Sequence, residues 1–379
     1  MTDGNFGIIV SGGPAPGINT VISSVVIQAS NQGYKVKGLK GGFLGVVSKG
    51  QDSVKDLDPE TVNPLAISGG SLLGTSRYNP FAEEESQNKL FSIFKENNID
   101  KLVVIGEEGS AYLSYQLSQK LPSIHIAHIP KTIDNDLILP NKHPSFGFET
   151  ARFVGSNIMK TITADAKTTN RWFIVRTMGR KAGFLAMGQG ISSGASLTII
   201  AEQFDSMETI KPEDVVDIIF SSVKKRLSLG KGYGTVIIAE GIIDKFNPDQ
   251  VEELMNCPRD DMGRLRFAEV QLEDIIAKKL RERCAKEGIK IRFSTSSIGY
   301  ELRCREPVPF DIEYCRLLGF GAVKYLLDGK REFMVVRDFD NLAYVPLQHM
   351  LEEETGILRT RKVDLSSDVY KVSSSFMIK

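Results

Sequence analysis

The chain has 379 residues, of which 41% are hydrophobic and 25% are charged, a composition typical of a soluble globular protein. This length exceeds the number of residues that usually fold around one hydrophobic core, so two domains are expected. The 47 Lys and Arg residues balance the 47 Asp and Glu residues. No bulk charge therefore directs the chain to nucleic acid or to an anionic membrane.

Cysteine, histidine and hydropathy patterns favour a cytoplasmic protein. The cysteines are far apart without Cys-x-x-Cys spacing, and with no recognisable signal peptide they are expected to be free thiols in a reducing compartment. They are Cys257, Cys284, Cys304 and Cys315. The four histidines form no ligand pair, which argues against zinc. No apolar run approaches the roughly 18 residues of a membrane span.

Short β-branched runs alternate with amphipathic stretches along the chain. The predicted strands are 6–10, 34–39, 101–105, 123–129, 172–176, 197–201 and 235–239. The predicted helices are 19–32, 83–97, 110–120, 148–163, 181–192, 212–227 and 270–287. Asn19 is the expected N-cap of the first helix. This alternation predicts an α/β fold with open, mostly parallel sheets and helices on both faces, in which ligands bind beyond the carboxyl ends of the strands.

The segment 130–136, with sequence PKTIDND, follows the predicted strand 123–129. In an extended loop, side chains two residues apart lie on the same side, so Asp134 and Asp136 are expected to do so. Paired carboxylates suit phosphoryl transfer, since one accepts a proton from an attacking hydroxyl and the other helps to place a divalent ion. Taken alone, an Asp-x-Asp pair is also typical of a turn or a helix cap.

Other polar segments also follow predicted strands. The segment 11–19 (SGGPAPGIN) opens the first predicted helix, and glycines at a helix N-terminus let backbone amides approach a phosphate. It is not a Walker A sequence, because no Gly-Lys-Ser/Thr follows. Similar polar segments are found at 69–77, at 106–110 (GEEGS) and at 177–180 (TMGR).

Taken in chain order, the five segments resemble those of the phosphofructokinase family, both ATP- and pyrophosphate-dependent, and the resemblance covers nearly the whole chain. The resemblance implies two Rossmann-like, doubly wound domains with the active site in the cleft between them. Residues 1–147 and roughly 304–350 would bind the phosphoryl donor, and 148–303 the sugar phosphate. Residues 351–379 would form a tail that packs on the core. The segments 12–19 and 75–80 are closest to those of compact bacterial pyrophosphate enzymes.

The resemblance also implies Mg²⁺-dependent phosphorylation of the 1-hydroxyl of fructose 6-phosphate, with Asp134 as the base that accepts the hydroxyl proton. Thr132 and Asp136 would hold the sugar near the reacting oxygen. Arg180 would stabilise charge on the transferring group. Asp136 and Glu108 would face the metal.

Further contacts are implied for both substrates. The sugar-phosphate residues are Met178, Gly179, Glu240, Arg171, Tyr300 and Arg303. The donor residues are Gly13, Arg77, Gly109, Ser110 and Lys131. The family pattern around 300–303 fits only loosely, so sedoheptulose 7-phosphate remains an alternative acceptor. Part of this pocket comes from a neighbouring subunit in the family, which implies a homodimer or homotetramer.

Two positions bear on the phosphoryl donor. Gly109 leaves room for ATP where pyrophosphate enzymes have a second acid, whereas Lys131 matches the pyrophosphate enzymes. We expect ATP to be favoured, because the missing acid removes a steric and electrostatic block while a lysine accepts either polyphosphate. Pyrophosphate remains the alternative.

Glu107 and Glu108 stand where the family has Gly-Asp. Glu108 is one methylene longer than aspartate and can still bind Mg²⁺. Glu107 adds bulk and negative charge where anions bind, so it is expected to slow the reaction or to change donor preference. It also leaves a non-catalytic family member as an alternative. The helix 19–32 has no Lys or Arg, where bacterial ATP enzymes use arginines to bind effectors.

Overall fold

The computed structural model describes residues 4–255, 257–258, 267–352 and 358–379. Over these ranges the chain has the predicted α/β fold, with mostly parallel sheets. Its strands are β1 (Asn5–Ser11), β2 (Val36–Leu39), β3 (Val54–Leu57), β4 (Ile99–Gly106), β5 (His125–Pro130), β6 (Trp172–Thr177), β7 (Leu197–Ile199), β8 (Gly234–Ala239), β9 (Phe293–Ile298), β10 (Glu332–Asp338) and β11 (Asn341–Pro346).

The helices connect these strands in the alternating order that the sequence predicts. They are α1 (Ile18–Asn31), α2 (Gly42–Lys49), α3 (Pro59–Val62), α4 (Glu84–Glu96), α5 (Glu108–Lys120), α6 (Phe148–Thr169), α7 (Phe184–Ser193), α8 (Pro212–Ser228), α9 (Glu252–Met255), α10 (Leu272–Lys286), α11 (Pro309–Leu327) and α12 (Asp368–Ser375). Each predicted strand and helix overlaps an observed one.

The predicted N-cap of the first helix is wrong. Gly17 occupies the cap position with φ 101°, and α1 begins at Ile18. This backbone conformation suits glycine, which has no Cβ to clash. Asn19 lies inside α1, where its Oδ1 accepts a hydrogen bond from the Leu72 amide at 2.7 Å.

The first of two compact units comprises Met1–Ile133, Leu137–Ala151 and Glu301–Thr360. Its sheet has the order β11-β10-β5-β4-β1-β2-β3. The edge pairs β10–β11 and β2–β3 are antiparallel, and the central pairs are parallel.

Helices cover both faces of this sheet. Ile8 and Val10 of β1 pack in a core with side chains from α1 and α11. Ile9, between them, packs in a second core with side chains from α2, α4 and α5. Successive strand residues thus point to opposite buried faces, as a doubly wound sheet requires.

The strand register aligns three loops of the first unit. Ser11 at the end of β1 pairs with Gly106 of β4, and Gly106 pairs with Pro130 of β5. The loops after these parallel strands therefore leave the sheet side by side at one level. The chain winds outward in opposite directions from β1 and β4, the position where open α/β sheets bind ligands.

The second unit comprises Asp134–Asp136, Arg152–Tyr300 and Arg361–Lys379. Its parallel sheet has the order β7-β8-β6-β9. Side chains of β6 and β8 form a core with those of α8 and α10. Thr177 at the end of β6 pairs with both Ala239 and Ile298, so the loops after β6, β8 and β9 also leave the sheet at one level.

The two compact units have boundaries near residues 151, 300 and 361, whereas the domains were predicted to divide near 147, 303 and 350. The units divide at residues 151 and 300, and the segment from 361 onward belongs with the second unit.

All four cysteines are free thiols. No helix among the described residues combines the length and hydropathy needed to cross a bilayer.

Candidate active site

The aligned loops of the first unit bring four predicted donor or donor-adjacent residues together. The Gly13 amide donates to Glu107 Oε2 at 3.3 Å, and Arg77 Nε lies 3.0 Å from Glu107 Oε1. Lys131 Nζ donates to the Gly13 carbonyl oxygen, and the Lys131 side chain is 1% exposed. We call Gly13, Arg77 and Lys131 the anion pocket, because an amide, a guanidinium and an ammonium are the usual protein partners of phosphate oxygens.

Backbone pairing holds Arg77 at this pocket although it is far from β1 in sequence. Ser76 forms a parallel bridge with Ser11 at the end of β1. The Gly12 amide donates to the Ser76 carbonyl oxygen at 2.9 Å, and Thr75 Oγ1 donates to the Gly12 carbonyl oxygen at 2.7 Å. The segment before Arg77 therefore extends the sheet edge on which the pocket lies.

The pocket keeps the Glu107 carboxylate ionised. Burial alone would raise the pKa of Glu107, but the charges of Lys131 and Arg77 and hydrogen bonds from Arg77 and the Gly13 amide bring it below its ordinary value. Glu107 is therefore an anion at neutral pH, held by groups that the resemblance assigns to the donor.

The remaining predicted donor residues begin α5. Ser110, which is 2% exposed, donates through Oγ to the Glu107 carbonyl oxygen at 2.6 Å. A methyl group built on Gly109 would meet no atom within 4 Å. Glu108 is the first residue of α5. An open position at a helix N-terminus suits a phosphate, since the unpaired amides carry partial positive charge.

Arg303 is the predicted sugar-phosphate residue that the structure places with the donor residues. A methyl group built on Gly13 would lie 3.3 Å from Arg77 Nη2 and 3.6 Å from Arg303 Nη1. Two guanidinium groups thus lie close to the Cα of Gly13. The predicted role of Arg303 at the sugar 6-phosphate stays a prediction.

Segment 130–136 does not stay extended through Asn135, so the premise that placed Asp134 and Asp136 on the same side is wrong. The chain turns at Asn135, which has φ 58°. Asparagine tolerates this left-handed conformation better than most residues. Asn135 and Asp136 are 6% and 8% exposed. Thr132 belongs to the first compact unit, whereas Asp134–Asp136 belong to the second.

Arg361 holds this turn within the second unit. Its amide donates to the Asp136 carbonyl oxygen at 2.7 Å, and its Nε donates to the Asn135 carbonyl oxygen at 2.9 Å. Its Nη2 donates to Asn135 Oδ1, and its guanidinium lies 5.0 Å from the ring centre of Phe184. Sequence reasoning missed Arg361, because no motif surrounds it and the contact is long-range.

The loops after β6, β8 and β9 bring most predicted sugar residues to one edge of the second sheet. Glu240 follows β8, and the next amide, of Gly241, donates to the Gly179 carbonyl oxygen at 3.2 Å. A methyl group built on Gly299 would lie 3.5 Å from Met178 Cε. Tyr300, which follows, is 66% exposed. Met178, Gly179, Glu240 and Tyr300 therefore share one edge of the sheet.

Arg180 belongs to the same edge and has two neighbours that the sequence did not indicate. Its guanidinium carbon lies 4.1 Å from the ring centre of Phe267, and its Nε lies 3.9 Å from Asp244 Oδ2. A ring face and a carboxylate limit the conformations of a guanidinium that is predicted to meet the transferring group.

Arg171 lies at the other end of the sheet. It precedes β6, whereas Met178 follows it, and a strand of six residues spans about 20 Å. Arg171 Nη1 donates to Ser294 Oγ at 3.3 Å, and its Nε is buried without a hydrogen-bond partner. The structure therefore does not bring Arg171 to the other predicted sugar residues of its own chain.

The donor set for a metal is sparse in the part of the chain that the structure describes. No group of three or more His, Cys, Asp or Glu side chains there could hold an ion. Mg²⁺ is often bound by one or two carboxylates together with substrate phosphates. Glu108 and Asp136 are of that ligand type, which fits the predicted metal role.

Doubly wound sheets with glycine-rich and charged loops at their carboxyl edges define an α/β protein built to bind phosphorylated small molecules. The phosphofructokinase family model matches residues 5–326. The chain belongs to the phosphofructokinase family.

Curated relatives carry names for both phosphoryl donors. The chain is 41% identical to a pyrophosphate–fructose 6-phosphate 1-phosphotransferase of Thermotoga maritima, over 99% of this chain and 90% of that protein. It is 37% identical to an enzyme of the same name from Naegleria fowleri, over 99% and 88%. An ATP-dependent 6-phosphofructokinase of Persephonella marina is 30% identical, over 94% and 95%.

Solved structures share the fold. The pyrophosphate-dependent phosphofructokinase of Marinobacter aquaeolei superposes with a TM-score of 0.71 at 19% identity, over 99% of this chain and 88% of that one. Phosphofructokinase from Saccharomyces cerevisiae gives 0.71 at 23% identity over 91% of this chain. This chain spans 45% of the yeast chain.

Proposed function

We propose that this protein is a pyrophosphate-dependent 6-phosphofructokinase that transfers a phosphoryl group to the 1-hydroxyl of fructose 6-phosphate. The sequence alone favoured ATP because of Gly109. The relatives named for pyrophosphate, at 41% and 37% identity over 99% of this chain, exceed ATP-dependent relatives at 34%, 33% and 30% identity. They support the alternative donor better than the first expectation.

The observation that carries the proposal is the burial of Lys131 in the anion pocket. Its side chain is 1% exposed, and its Nζ contacts the Gly13 carbonyl oxygen. A buried ammonium is costly unless an anion lies close to it, and the charge of Glu107 already acts on Lys131. A compact inorganic polyphosphate that replaces Glu107 would keep a negative charge beside Lys131 and would require no surface for adenosine.

The reaction follows from the roles that the family resemblance implies. The 1-hydroxyl oxygen forms a bond to one phosphorus of pyrophosphate while the bridging P–O bond breaks and inorganic phosphate leaves. Asp134 accepts the hydroxyl proton, Thr132 and Asp136 orient the sugar, and Arg180 stabilises negative charge on the transferring group. By the family resemblance, Glu108 and Asp136 would be the carboxylates that hold Mg²⁺, which would neutralise charge on the phosphates.

The position of Arg171 supports an oligomer. It lies about a strand length from the other sugar residues of its chain, with its Nε buried without a hydrogen-bond partner. We propose that Arg171 completes the sugar 6-phosphate pocket of a neighbouring copy, so that the active form is a homodimer or homotetramer.

A specific observation also favours a second candidate, a family member without turnover. The Glu107 carboxylate already contacts the Gly13 amide and Arg77. If the Glu107 carboxylate never leaves the anion pocket, the donor cannot enter. The protein would then bind sugar phosphate without phosphorylating it.

The test is an assay of the full chain with fructose 6-phosphate and Mg²⁺, comparing pyrophosphate and ATP at equal concentration. Pyrophosphate-supported turnover in both directions is expected. Asp134→Asn should lower turnover by about 10²- to 10⁴-fold, while Asp52→Asn, at an exposed position, serves as the matched control. Turnover with ATP alone contradicts the donor assignment, and parallel assays with sedoheptulose 7-phosphate test the acceptor.

A further inference from the structure

A carboxylate of the protein itself lies in the anion pocket. The Gly13 amide donates to Glu107 Oε2 at 3.3 Å, and Arg77 Nε lies 3.0 Å from Glu107 Oε1. Carboxylate and phosphate oxygens are equivalent acceptors for amide and guanidinium donors. The contacts that would hold a donor phosphate are thus made by Glu107.

Several positively charged groups lie near the glycine loop. Arg77, Lys131 and Arg303 bring three of them near Gly13. A polyphosphate carries more negative charge than one carboxylate and interacts more strongly with guanidinium and ammonium groups. The pocket is therefore suited to a polyanion that can replace Glu107.

Packing shows that Glu107 fills space as well as charge. A methyl group built on Gly12 would lie 2.5 Å from Glu107 Cδ, so the carboxylate is in van der Waals contact with the glycine loop. A phosphate oxygen cannot take the same position until the Glu107 side chain rotates away. The side chain is 32% exposed, which leaves it a route into solvent.

We propose that Glu107 is a tethered competitor of the phosphoryl donor, which must displace it from the anion pocket before binding. The inference deepens the proposed function, on which it rests. Glu107 thereby raises the donor concentration that the protein requires and selects for donors with high charge. An ordinary surface ion pair between Glu107 and Arg77 contributes little to stability and would leave donor affinity unchanged.

Calorimetric titration with pyrophosphate, without sugar phosphate, tests the proposal on the full chain. If Glu107 occupies the pocket about nine-tenths of the time, its removal lowers the Kd for pyrophosphate about tenfold. Glu107→Gln keeps the shape of the side chain and removes its charge, and Glu107→Gly removes the side chain. Glu96→Gln, at an exposed position on α4 of the same unit, is the matched control and should match the unsubstituted protein.

An unchanged or higher Kd in both Glu107 variants overturns the proposal. Turnover measured on the same proteins separates this failure from that of the proposed function. Unchanged affinity with pyrophosphate-supported turnover rejects the competitor and leaves the enzyme assignment in place. Tighter binding in Glu107→Gln without turnover supports the competitor and rejects the assignment.

Discussion

Arg361 and Asn135 form a long-range contact that fixes the turn carrying the predicted catalytic base. Arg361 Nε donates to the Asn135 carbonyl oxygen at 2.9 Å, and Nη2 donates to its side-chain oxygen. The Arg361 amide donates to the Asp136 carbonyl oxygen at 2.7 Å. One residue thus holds the two residues that follow Asp134, and the left-handed backbone of Asn135 depends on this support.

Replacing Arg361 should therefore slow catalysis more than it weakens binding. In Arg361→Ala the turn loses its side-chain donors and Asp134 shifts, and a displacement of about 1 Å costs about 100-fold in rate. Steady-state kinetics should show a fall in kcat with KM for fructose 6-phosphate changed by less than about threefold.

Guanidinium ion in the assay should restore part of the lost rate, because it replaces the missing donors. Arg359→Ala removes a neighbouring exposed arginine whose Nε donates to the Leu351 carbonyl oxygen at 3.3 Å, and it should behave like the unsubstituted protein. Equal losses in both variants indicate a general structural effect and contradict the positioning role.

Glu108 offers a direct test of the metal assignment. Glu108→Asp shortens the side chain by one methylene, to the aspartate that the family resemblance implies at this position. Octahedral Mg²⁺ tolerates little misplacement of its ligands, so the Mg²⁺ concentration for half-maximal rate should fall several-fold. Glu108→Ala should raise it. An identical Mg²⁺ dependence in all three proteins shows that Glu108 does not bind the ion.

His128 gives the protein an acid sensitivity that can be measured. It is fully buried in β5, with Nδ1 3.4 Å from Ser114 Oγ. Burial, aided by the charge of Lys131 and opposed by a hydrogen bond with the Gly106 backbone, lowers the pKa of His128 from 6.5 to about 3.

A lowered pKa means that the unfolded chain binds a proton more readily than the folded one. The contribution of neutral His128 to the free energy of unfolding is thus complete above pH 6.5. It is lost as the pH falls towards 3, and the loss amounts to at most about 5 kcal/mol. In His128→Gln, the free energy of unfolding should fall less between pH 6.5 and 4. Exposed His349→Gln is the control, and equal pH slopes in all three proteins would refute the assignment.

Sequence patterns predicted the elements well because both sheets are mostly parallel and buried, so short β-branched runs alternate with amphipathic helices. They also indicated which loops carry charge, since glycine and acidic residues cluster after β1, β4 and β5. They did not predict that Glu107 binds Gly13 and Arg77, because that contact depends on strand register. Arg361 was missed because no motif surrounds it and 226 residues separate it from Asn135.

The amino-acid composition of helix α1 leads to a prediction about the response to effectors. Residues Ile18–Asn31 include no Lys or Arg, so this helix cannot supply guanidinium or ammonium groups to a phosphorylated effector. Rates at subsaturating fructose 6-phosphate should change by less than about twofold on adding ADP or phosphoenolpyruvate. A sigmoidal sugar-phosphate curve that ADP makes hyperbolic contradicts this expectation.

Gly17 should be sensitive to substitution for two separable reasons. Its φ of 101° is costly for any residue with a Cβ, and a methyl group there would lie 2.5 Å from Cys315 Sγ. Gly33 has φ 80° but no atom within 4 Å of such a methyl group, so it isolates the backbone cost. Gly33→Ala should lower the free energy of unfolding by about 1 kcal/mol, and Gly17→Ala by about 1–3 kcal/mol more because of overpacking. Urea unfolding of both variants measures the difference, and equal losses would show that the contact with Cys315 relaxes without cost.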